Sequence, residues 1–299
     1  MSKIKQAGLV GRGGACFPVE EKWQAVKNAA GENKFVVANA AEGEPCVLKD
    51  GYILEQHADR VIDGLKIAID FLSERRLTSG GRLTSGYLYI KPAYYKKLHK
   101  KLDALVKDSA IEIFVEPLSA GYIGGEESAL LNAIEGQRIE PRLKPPLLAT
   151  RGLWNCPTLI NNVETFYNVS LAVAGDYKNK RFYTISGDCP NEGVYELADD
   201  WSIEKVLKQT KNYPKFSFFV QVGGGASGEV LNSNQLKRPA GGAGSVAVYS
   251  LAKNNFKNIV KNWLDFYVSE SCGQCAPCRE GTLRLREVFM AEKIDWNLF

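Results

Sequence analysis

The alternation of apolar runs with amphipathic segments in the first half of the chain constrains the fold most. Short apolar runs at residues 35–38, 86–90 and 111–115 are typical of buried strands. Between them, residues 56–73 and 93–106 carry apolar side chains at the period of a helix. Strand, helix and strand in this order predict parallel βαβ units and therefore an α/β fold class.

A glycine-rich segment precedes the first of these strands. Residues 8–23 read GLVGRGGACFPVEEKW, with glycines at positions 8, 11, 13 and 14. A backbone without Cβ atoms can approach a phosphate closely, and Arg12 adds a cation, so the segment is a candidate phosphate loop. The pattern is not GxGxxG and no strand precedes it, so an ordinary glycine turn remains an alternative on these residues alone.

Polar side chains follow the first strand where it ends. The run Asn39-Ala40-Ala41-Glu42-Gly43-Glu44 comes directly after it, at the edge of the sheet where α/β proteins bind ligands. Three more segments combine glycine or proline with polar residues: GYIGGEES at 121–128, PRLKPP at 141–146 and GLWNCPTLINNVET at 152–165.

Three closely spaced cysteines are the strongest chemical feature of the second half. Cys272, Cys275 and Cys278 follow one another as CxxCxxC. Thiolates at this spacing can hold three corners of an iron–sulfur cubane, whereas zinc sites usually show two separated CxxC pairs or histidines. The chain has seven cysteines, an odd number, which favours a metal centre in a reducing compartment over disulfides. Cysteines without a metal are the alternative.

In this order and over nearly the whole chain, these motifs resemble the NADH-oxidising, FMN-bearing subunit of respiratory complex I and its relatives in soluble hydrogenases and formate dehydrogenases. The resemblance implies a Rossmann-like FMN-binding domain with a parallel sheet at residues 1–175. A ubiquitin-like β-grasp domain (SLBB-type) at 176–250 and a helical iron–sulfur domain at 251–299 would follow.

The residues of the second half agree with this division. Short strands are predicted at 182–187 and 193–197, with a helix at 202–210 that begins at Ser202 as N-cap. The GGG at 223–225 is interpreted as a turn rather than a second phosphate site. Further helices are predicted at 257–268 and 282–291. A repeat, RLTSG at 76–80 and 82–86, predicts a polar surface loop.

The resemblance also implies site residues and no catalytic side chain. Positions matching the FMN site are Gly11, Arg12, Gly13, Lys22, Asn39, Glu42, Gly125, Glu126, Asn161 and Asn162. Positions matching the NADH side are Phe17, Glu44, Glu127 and Lys144. Cys272, Cys275 and Cys278 match ligands of a [4Fe–4S] cluster, whose fourth ligand is not in this chain.

Five positions depart from the family pattern. Ala25 and Leu147 stand where relatives have phenylalanines on the nucleotide side, and losing aromatic stacking partners weakens nucleotide binding. Near the flavin, Cys16 replaces a glycine, Ala41 an acidic residue and Gly124 a cysteine.

The implied function is an electron-entry subunit, an NADH dehydrogenase. NADH would give a hydride to N5 of FMN, which passes single electrons to the cluster. Expected partners are a thioredoxin-like [2Fe–2S] subunit and a further iron–sulfur subunit of a larger redox complex. Two alternatives stay open. One is an FMN and iron–sulfur relay that uses NADPH or no nucleotide, and the other is a cofactor-poor docking scaffold, because no cysteine follows Cys278.

Composition excludes other classes. Among 299 residues, 45% are hydrophobic and 24% charged, as in soluble globular proteins, and a formal charge of +4 gives no case for nucleic acid. There is no signal peptide and no run long enough to insert in a membrane, so we expect a cytoplasmic location, which includes the cytoplasmic face of a membrane complex. The apolar end, residues 296–299, predicts C-terminal truncation.

Overall fold

The computed structural model describes residues 1–73 and 84–291, and its first half forms a four-stranded parallel sheet. The strands are β1 (Lys34–Ala40), β2 (Thr84–Ile90), β3 (Ile111–Val115) and β4 (Thr158–Asn162). The first three confirm the predicted strands. The sequence did not indicate β4, because only Leu159 and Ile160 separate its polar residues and so short an apolar run has no clear period.

The order of the strands creates a switch point. The sheet runs β3-β2-β1-β4, so the chain moves outward from β1 to β3 and then returns to the other side of β1. Asn39 of β1 pairs in register with Asn162 of β4. At such a point the loops leave the carboxyl ends of two adjacent strands in opposite directions and open a crevice between them.

Helices cover both faces of this sheet, as parallel strands require. They are α1 (Ser2–Gln6), α2 (Val19–Asn28), α3 (Lys49–Ser73), α4 (Pro92–Val106), α5 (Glu127–Ile134) and α6 (Val163–Ala174), with single 3-10 turns at Tyr122–Gly125 and Leu153–Asn155. Val36 and Ala38 of β1 face the core built with α3 and α6, whereas Val37 faces the core built with α5.

A second sheet of five strands follows. Its strands are β5 (Lys180–Gly187), β6 (Gly193–Ala198), β7 (Phe218–Val222), β8 (Glu229–Asn232) and β9 (Ser245–Ser250), and a 3-10 turn spans Ser233–Gln235. The order is β6-β5-β9-β7-β8, with β5 and β9 parallel at the centre and every other pair antiparallel. Helix α7 (Ile203–Gln209), capped by Ser202 as predicted, packs on one face, which gives the predicted β-grasp fold.

Two helices end the described chain, α8 (Phe256–Glu270) and α9 (Ala276–Met290). The last helix begins six residues before the predicted start at 282, because Pro277 suits the first turn of a helix. Cys278 therefore lies on the helix. The predicted limits at 175 and 250 fall between α6 and β5 and at the end of β9, and they stay predictions.

The predicted RLTSG surface loop lies outside the described residues except for Thr84, Ser85 and Gly86, which begin β2, so the loop prediction is wrong for these three residues. None of the helices in residues 1–73 and 84–291 combines the length and apolarity that crossing a membrane requires.

Close packing of α3 on α6 generates the first prediction. A Cβ at Gly64 would lie 2.0 Å from the backbone oxygen of Phe166, and backbone cannot move aside as a flexible side chain can. We expect Gly64→Ala to destabilise the protein by about 1–3 kcal/mol, as overpacking does. The measurement is the midpoint of urea unfolding.

Gly281 is the matched control, since it lies inside α9 and a Cβ there would meet nothing within 4 Å. Gly281→Ala should stabilise the helix by about 0.5–1 kcal/mol. Equal unfolding midpoints for the two variants would contradict the proposed packing of α3 on α6.

Candidate cofactor and nucleotide site

A cavity of about 510 Å³ opens at the switch point between β1 and β4, a volume typical of small-molecule sites. Its walls are the glycine loop, the polar end of β1, the 3-10 turn before α5 and the end of β4. The structure brings all fourteen residues predicted for FMN and NADH to this wall: Gly11, Arg12, Gly13, Phe17, Lys22, Asn39, Glu42, Glu44, Gly125, Glu126, Glu127, Lys144, Asn161 and Asn162. Their binding roles stay predictions.

The glycine loop is held by Arg12. Its backbone N–H donates to the Thr165 hydroxyl at 3.0 Å. The residue is only 2% exposed, and its guanidinium lies 2.9 Å from a carboxylate oxygen of Asp199 in the β-grasp region. Asp199, Glu164 and Tyr177 raise the pKa of Arg12 although burial opposes this. The Arg12 guanidinium, which was expected to face a phosphate, is thus already paired with Asp199, and the main role of Arg12 in this structure is to anchor the loop.

Helix α2 connects the glycine loop to β4. The Trp23 indole is fully buried and donates to Asn161 Oδ1 at 2.9 Å, which ties the KW pair to the paired asparagines. The ammonium group of Lys22, the residue before Trp23, lies 2.5 Å from Glu127 Oε1. The cavity therefore has an ammonium group at its wall with a carboxylate beside it.

The GGEE segment is positioned by hydrogen bonds to backbone. Glu126 is the N-cap of α5 and accepts from the N–H groups of Ser128 and Ala129 at 2.8 and 2.9 Å. Burial opposes ionisation, but these bonds and Lys144, 3.1 Å away, hold the pKa of Glu126 below its usual value. Asn39 Nδ2 donates to the Gly125 carbonyl at 3.0 Å, which joins this turn to the end of β1.

A buried charged network lies beneath the cavity. Lys49 is only 1% exposed, and its ammonium lies 2.6 Å from Asp50, 3.1 Å from Glu164 and 2.9 Å from Asn162 Oδ1. Asn162 Nδ2 in turn donates to Asp50 at 2.6 Å. Nearby carboxylates raise the pKa of Lys49 despite its burial, so it stays protonated.

Glu42 joins this network from the other side. It accepts from the N–H groups of Asp50 and Gly51 at 2.7 and 3.1 Å and from the Tyr94 hydroxyl. Glu42 keeps some exposure to the cavity, but burial of the carboxylate and the nearby Asp50 raise its pKa to about 7. Its backbone has a φ of 38°, a left-handed conformation that these bonds hold in place.

Sequence reasoning missed Lys49, Asp50 and Glu164. Lys49 and Asp50 precede the predicted helix but belong to α3, and Asp50 shares the buried face of Ile53 and Leu54, three and four positions on. If the helical period predicted for residues 56–73 had been extended toward the N-terminus, Lys49 and Asp50 would have fallen on the apolar face of the helix. A charged pair on an apolar face indicates a buried network.

The nucleotide side is less complete. Phe17 lines the cavity and is 51% exposed, so its ring is open to a planar ligand. Leu147 is 61% exposed and Ala25 is exposed on α2, and neither lines the cavity. The two positions where relatives have phenylalanines thus add no aromatic surface here.

The three cysteines lie where α8 ends and α9 begins: Cys272 and Cys275 stand between the two helices, and Cys278 lies in the first turn of α9. Cys272 is half-buried, and Cys275 and Cys278 are exposed. Cys275 caps α9, and the thiol of Cys278 lies 3.5 Å from the Ser271 hydroxyl. In residues 1–73 and 84–291, no three His, Cys, Asp or Glu side chains are gathered closely enough to hold a metal ion, although three thiols in seven residues are the donors that an iron–sulfur cluster uses.

The donors around the cavity fit a flavin nucleotide. Lys22 and Lys144 supply cations for an anionic group, the glycine loop allows a close backbone approach, and Asn39 and Asn161 supply amides. A parallel sheet with this set at its switch point defines a nucleotide- or flavin-binding protein of the α/β class.

Comparisons with known proteins identify the family. The Nuo51 FMN-binding domain matches residues 4–171, and the NADH-ubiquinone oxidoreductase-F iron–sulfur binding region matches residues 258–294. The F-designated subunit of the NADH-quinone oxidoreductase of Aquifex aeolicus is 30% identical over 326 residues, which cover 99% of this chain and 76% of that protein.

Hydrogenase subunits are similar as well. The alpha subunit of the NAD-reducing hydrogenase HoxS of Cupriavidus necator is 30% identical, covering 98% of this chain and 51% of that subunit. A crystal structure of an NAD⁺-reducing [NiFe]-hydrogenase superposes with a TM-score of 0.85 at 30% identity and covers 96% of this chain. This chain spans about half the length of either hydrogenase chain.

The chain belongs to the family of FMN-binding subunits of NADH-quinone oxidoreductase. The predicted resemblance and the predicted fold class are therefore confirmed. The chain is a flavin-dependent oxidoreductase subunit of the NADH dehydrogenase class, with the family's FMN-binding domain and iron–sulfur binding region.

The raised pKa of Glu42 yields the second prediction. In the unfolded chain this carboxyl titrates near 4.5, and in the folded protein near 7. Between these values the folded state binds more protons, so the free energy of unfolding falls as the pH rises. Raising the pH from 5 to 8 should therefore destabilise the wild type by about 1–3 kcal/mol more than Glu42→Gln, which cannot titrate.

Urea unfolding of the cofactor-free protein at both pH values measures this difference. Glu21→Gln, at an exposed position on α2, is the control and should follow the wild type. If the wild type and Glu42→Gln lose the same free energy between pH 5 and pH 8, Glu42 is ionised throughout and the assignment is wrong.

Proposed function

We propose that this chain is an electron-entry subunit that oxidises NADH at a bound FMN and delivers the electrons singly to an iron–sulfur cluster. One observation carries the proposal: the residues that match the family's FMN and NADH positions line a single cavity at the switch point of the parallel sheet. They come from five separate segments of the chain.

FMN, when bound, supplies the chemistry, because a flavin accepts a hydride and releases electrons one at a time. The protein binds and orients. Lys22 and Lys144 neutralise anionic groups, while Asn39 and Asn161 offer amides to polar ring edges. Phe17 presents an aromatic face to the nicotinamide nucleotide. No side chain need act as a nucleophile.

Cys272, Cys275 and Cys278 are the proposed ligands of three corners of the [4Fe–4S] cluster. The named relatives are subunits of NADH-quinone oxidoreductase and of NAD-reducing hydrogenase, which supports a place in a larger redox complex. We propose a thioredoxin-like [2Fe–2S] subunit and a further iron–sulfur subunit as partners, and a cytoplasmic location.

The third prediction tests the function directly. The full chain is reconstituted with FMN without oxygen, NADH is added, and the visible absorption of the oxidised flavin is followed. Prompt loss of the absorption is expected. FMN that binds but stays oxidised with NADH would overturn the proposal, and failure to bind FMN would favour a docking scaffold.

A relay that does not use NADH is the second candidate, favoured by the exposed Ala25 and Leu147 on the nucleotide side. The same experiment with NADPH separates the two. Loss of the flavin absorption with NADPH but not with NADH would support a different nucleotide, and loss with neither would support another protein as the donor.

Leu147 yields the fourth prediction. Because its side chain is 61% exposed, a phenylalanine fits without repacking. If the nucleotide stacks here, Leu147→Phe should lower the NADH concentration for half-maximal flavin reduction about fivefold, the effect of roughly 1 kcal/mol per aromatic partner. Leu143→Phe is the matched control, because Leu143 is 87% exposed in the same segment and is not a position where relatives have a phenylalanine. Equal effects of the two variants would place the nucleotide elsewhere.

A further inference from the structure

The carboxylate of Glu44 is bound by groups from two other parts of the chain. One oxygen accepts from the backbone N–H groups of Ala226 and Ser227 at 2.8 and 2.9 Å, and both residues follow the GGG turn of the β-grasp region. The other oxygen accepts from the Tyr122 hydroxyl at 2.7 Å. Both oxygens of this cavity-lining carboxylate therefore have donors already in place.

These donors are themselves held by α8, the helix that leads into the cysteine motif. The Tyr267 hydroxyl donates to the carbonyl of Ala226, and Glu270, one turn further along α8, accepts from the backbone N–H of Tyr122 at 2.6 Å. The contacts close a ring, which we call the Glu44 ring: Glu44, Ala226, Ser227, Tyr267, Glu270 and Tyr122. It joins all three regions of the fold.

Glycines make the close approach of the ring possible. Gly224 has a φ of 153°, and a Cβ there would lie 2.2 Å from Glu44 Oε1. The backbone N–H of Gly225 donates to the Pro45 carbonyl at 2.7 Å, and a Cβ at Gly225 would lie 2.8 Å from the same carbonyl oxygen. The GGG segment is thus a turn, as the sequence predicted, and its shape matches the polar end of β1.

We infer that the Glu44 ring positions the Glu44 carboxylate for the nicotinamide nucleotide, so that the β-grasp turn and α8 are positioning elements of the oxidation site. This inference rests on the proposed function. A carboxylate held by three donors does not have to be ordered when the nucleotide binds, and preorganised groups bind more tightly for that reason. Tyr267 and Gly224 act through Glu44 and do not themselves touch the nucleotide.

Gly224→Ala is the direct test, with Gly241→Ala as its matched control, since a Cβ at Gly241 would meet nothing within 4 Å. In the FMN-loaded full chain, Gly224→Ala should lower the second-order rate constant of flavin reduction by NADH on the order of ten- to a hundredfold, the usual effect of a displaced binding group. FMN affinity, measured by flavin fluorescence quenching, should stay unchanged. Gly241→Ala should match the wild type in both measurements.

A second variant adds no bulk. Tyr267→Phe removes only the hydroxyl that holds Ala226 and should lower the same rate constant about two- to tenfold, the range of a single hydrogen bond. Tyr195→Phe is the control, because its hydroxyl also donates to a backbone carbonyl, that of Asn191, away from the ring.

Amide hydrogen exchange gives a readout independent of catalysis. In the FMN-free chain, the amides of Ala226 and Ser227 should exchange slowly, and Glu44→Ala should accelerate them at least tenfold, as loss of a charge-assisted bond would do. Equal exchange in wild type and Glu44→Ala would show that the ring does not form.

The outcomes separate the two levels of inference. If NADH does not reduce the flavin of the wild type, the proposed function is wrong, and so is this role of the Glu44 ring. Rapid reduction in the wild type, with Gly224→Ala equal to Gly241→Ala, overturns the ring alone. A fall in FMN affinity with Gly224→Ala, in parallel with the rate, would also overturn it, because the effect would then be a general loss of structure.

Discussion

A single buried ammonium group holds the switch point together. Lys49 has almost no exposure, and a charge so placed is stable only when opposite charges and hydrogen bonds replace its water. Asp50 and Glu164 supply the charges. Glu164 also accepts a hydrogen bond from the backbone N–H of Phe182 in β5 at 2.9 Å, so the ion pair of Lys49 connects the residues beneath the cavity to the start of the second sheet. With Glu42 added, carboxylates outnumber the lysine, and Glu42, the most exposed of them to the cavity, keeps a proton to about neutral pH.

The β-grasp region contributes to the site through carboxylates on both sides of its interface. Asp199 of this region neutralises Arg12 of the glycine loop and also lies 3.5 Å from Arg181, so it sets the loop against the second sheet. Glu44 makes the converse contact, since it follows β1 of the parallel sheet and is bound by the backbone of Ala226 in the β-grasp region. Two such contacts limit rotation of one region on the other better than one does. The cavity wall is consequently a property of the assembled regions and not of the parallel sheet alone.

How far the sequence predicted this arrangement depends on the range of each interaction. Apolar runs predicted strands such as β1 and β3, and Ser202 predicted the start of α7, because both signals lie within a few neighbouring residues. The β-grasp fold was predictable because it depends on the order of many such elements along the chain. The members of the cavity wall were reached through resemblance, as order along the chain does not show that Gly11, Asn39 and Asn162 meet. The pairing of Lys49 with Glu164 and of Arg12 with Asp199 was not predictable, since these partners lie more than a hundred residues apart and the sequence contains many carboxylates with equal local context.

Two of the three departures from the family pattern near the flavin, Gly124 and Ala41, have packing reasons in this chain, whereas nothing in the structure explains Cys16. Cys16 adopts a φ of 52°, where a glycine would be unstrained. A Cβ at Gly124 would lie 2.4 Å from the carboxylate of Glu116, so the cysteine of relatives fits here only if Glu116 moves. Glu116 is itself buried, with a pKa raised to about 7 by that burial. Ala41 is 2% exposed in an apolar cluster with Leu130, where an acidic side chain would lose its hydration. The exchanges at Gly124 and Ala41 follow from the packing around the cavity, and all three leave its polar wall intact.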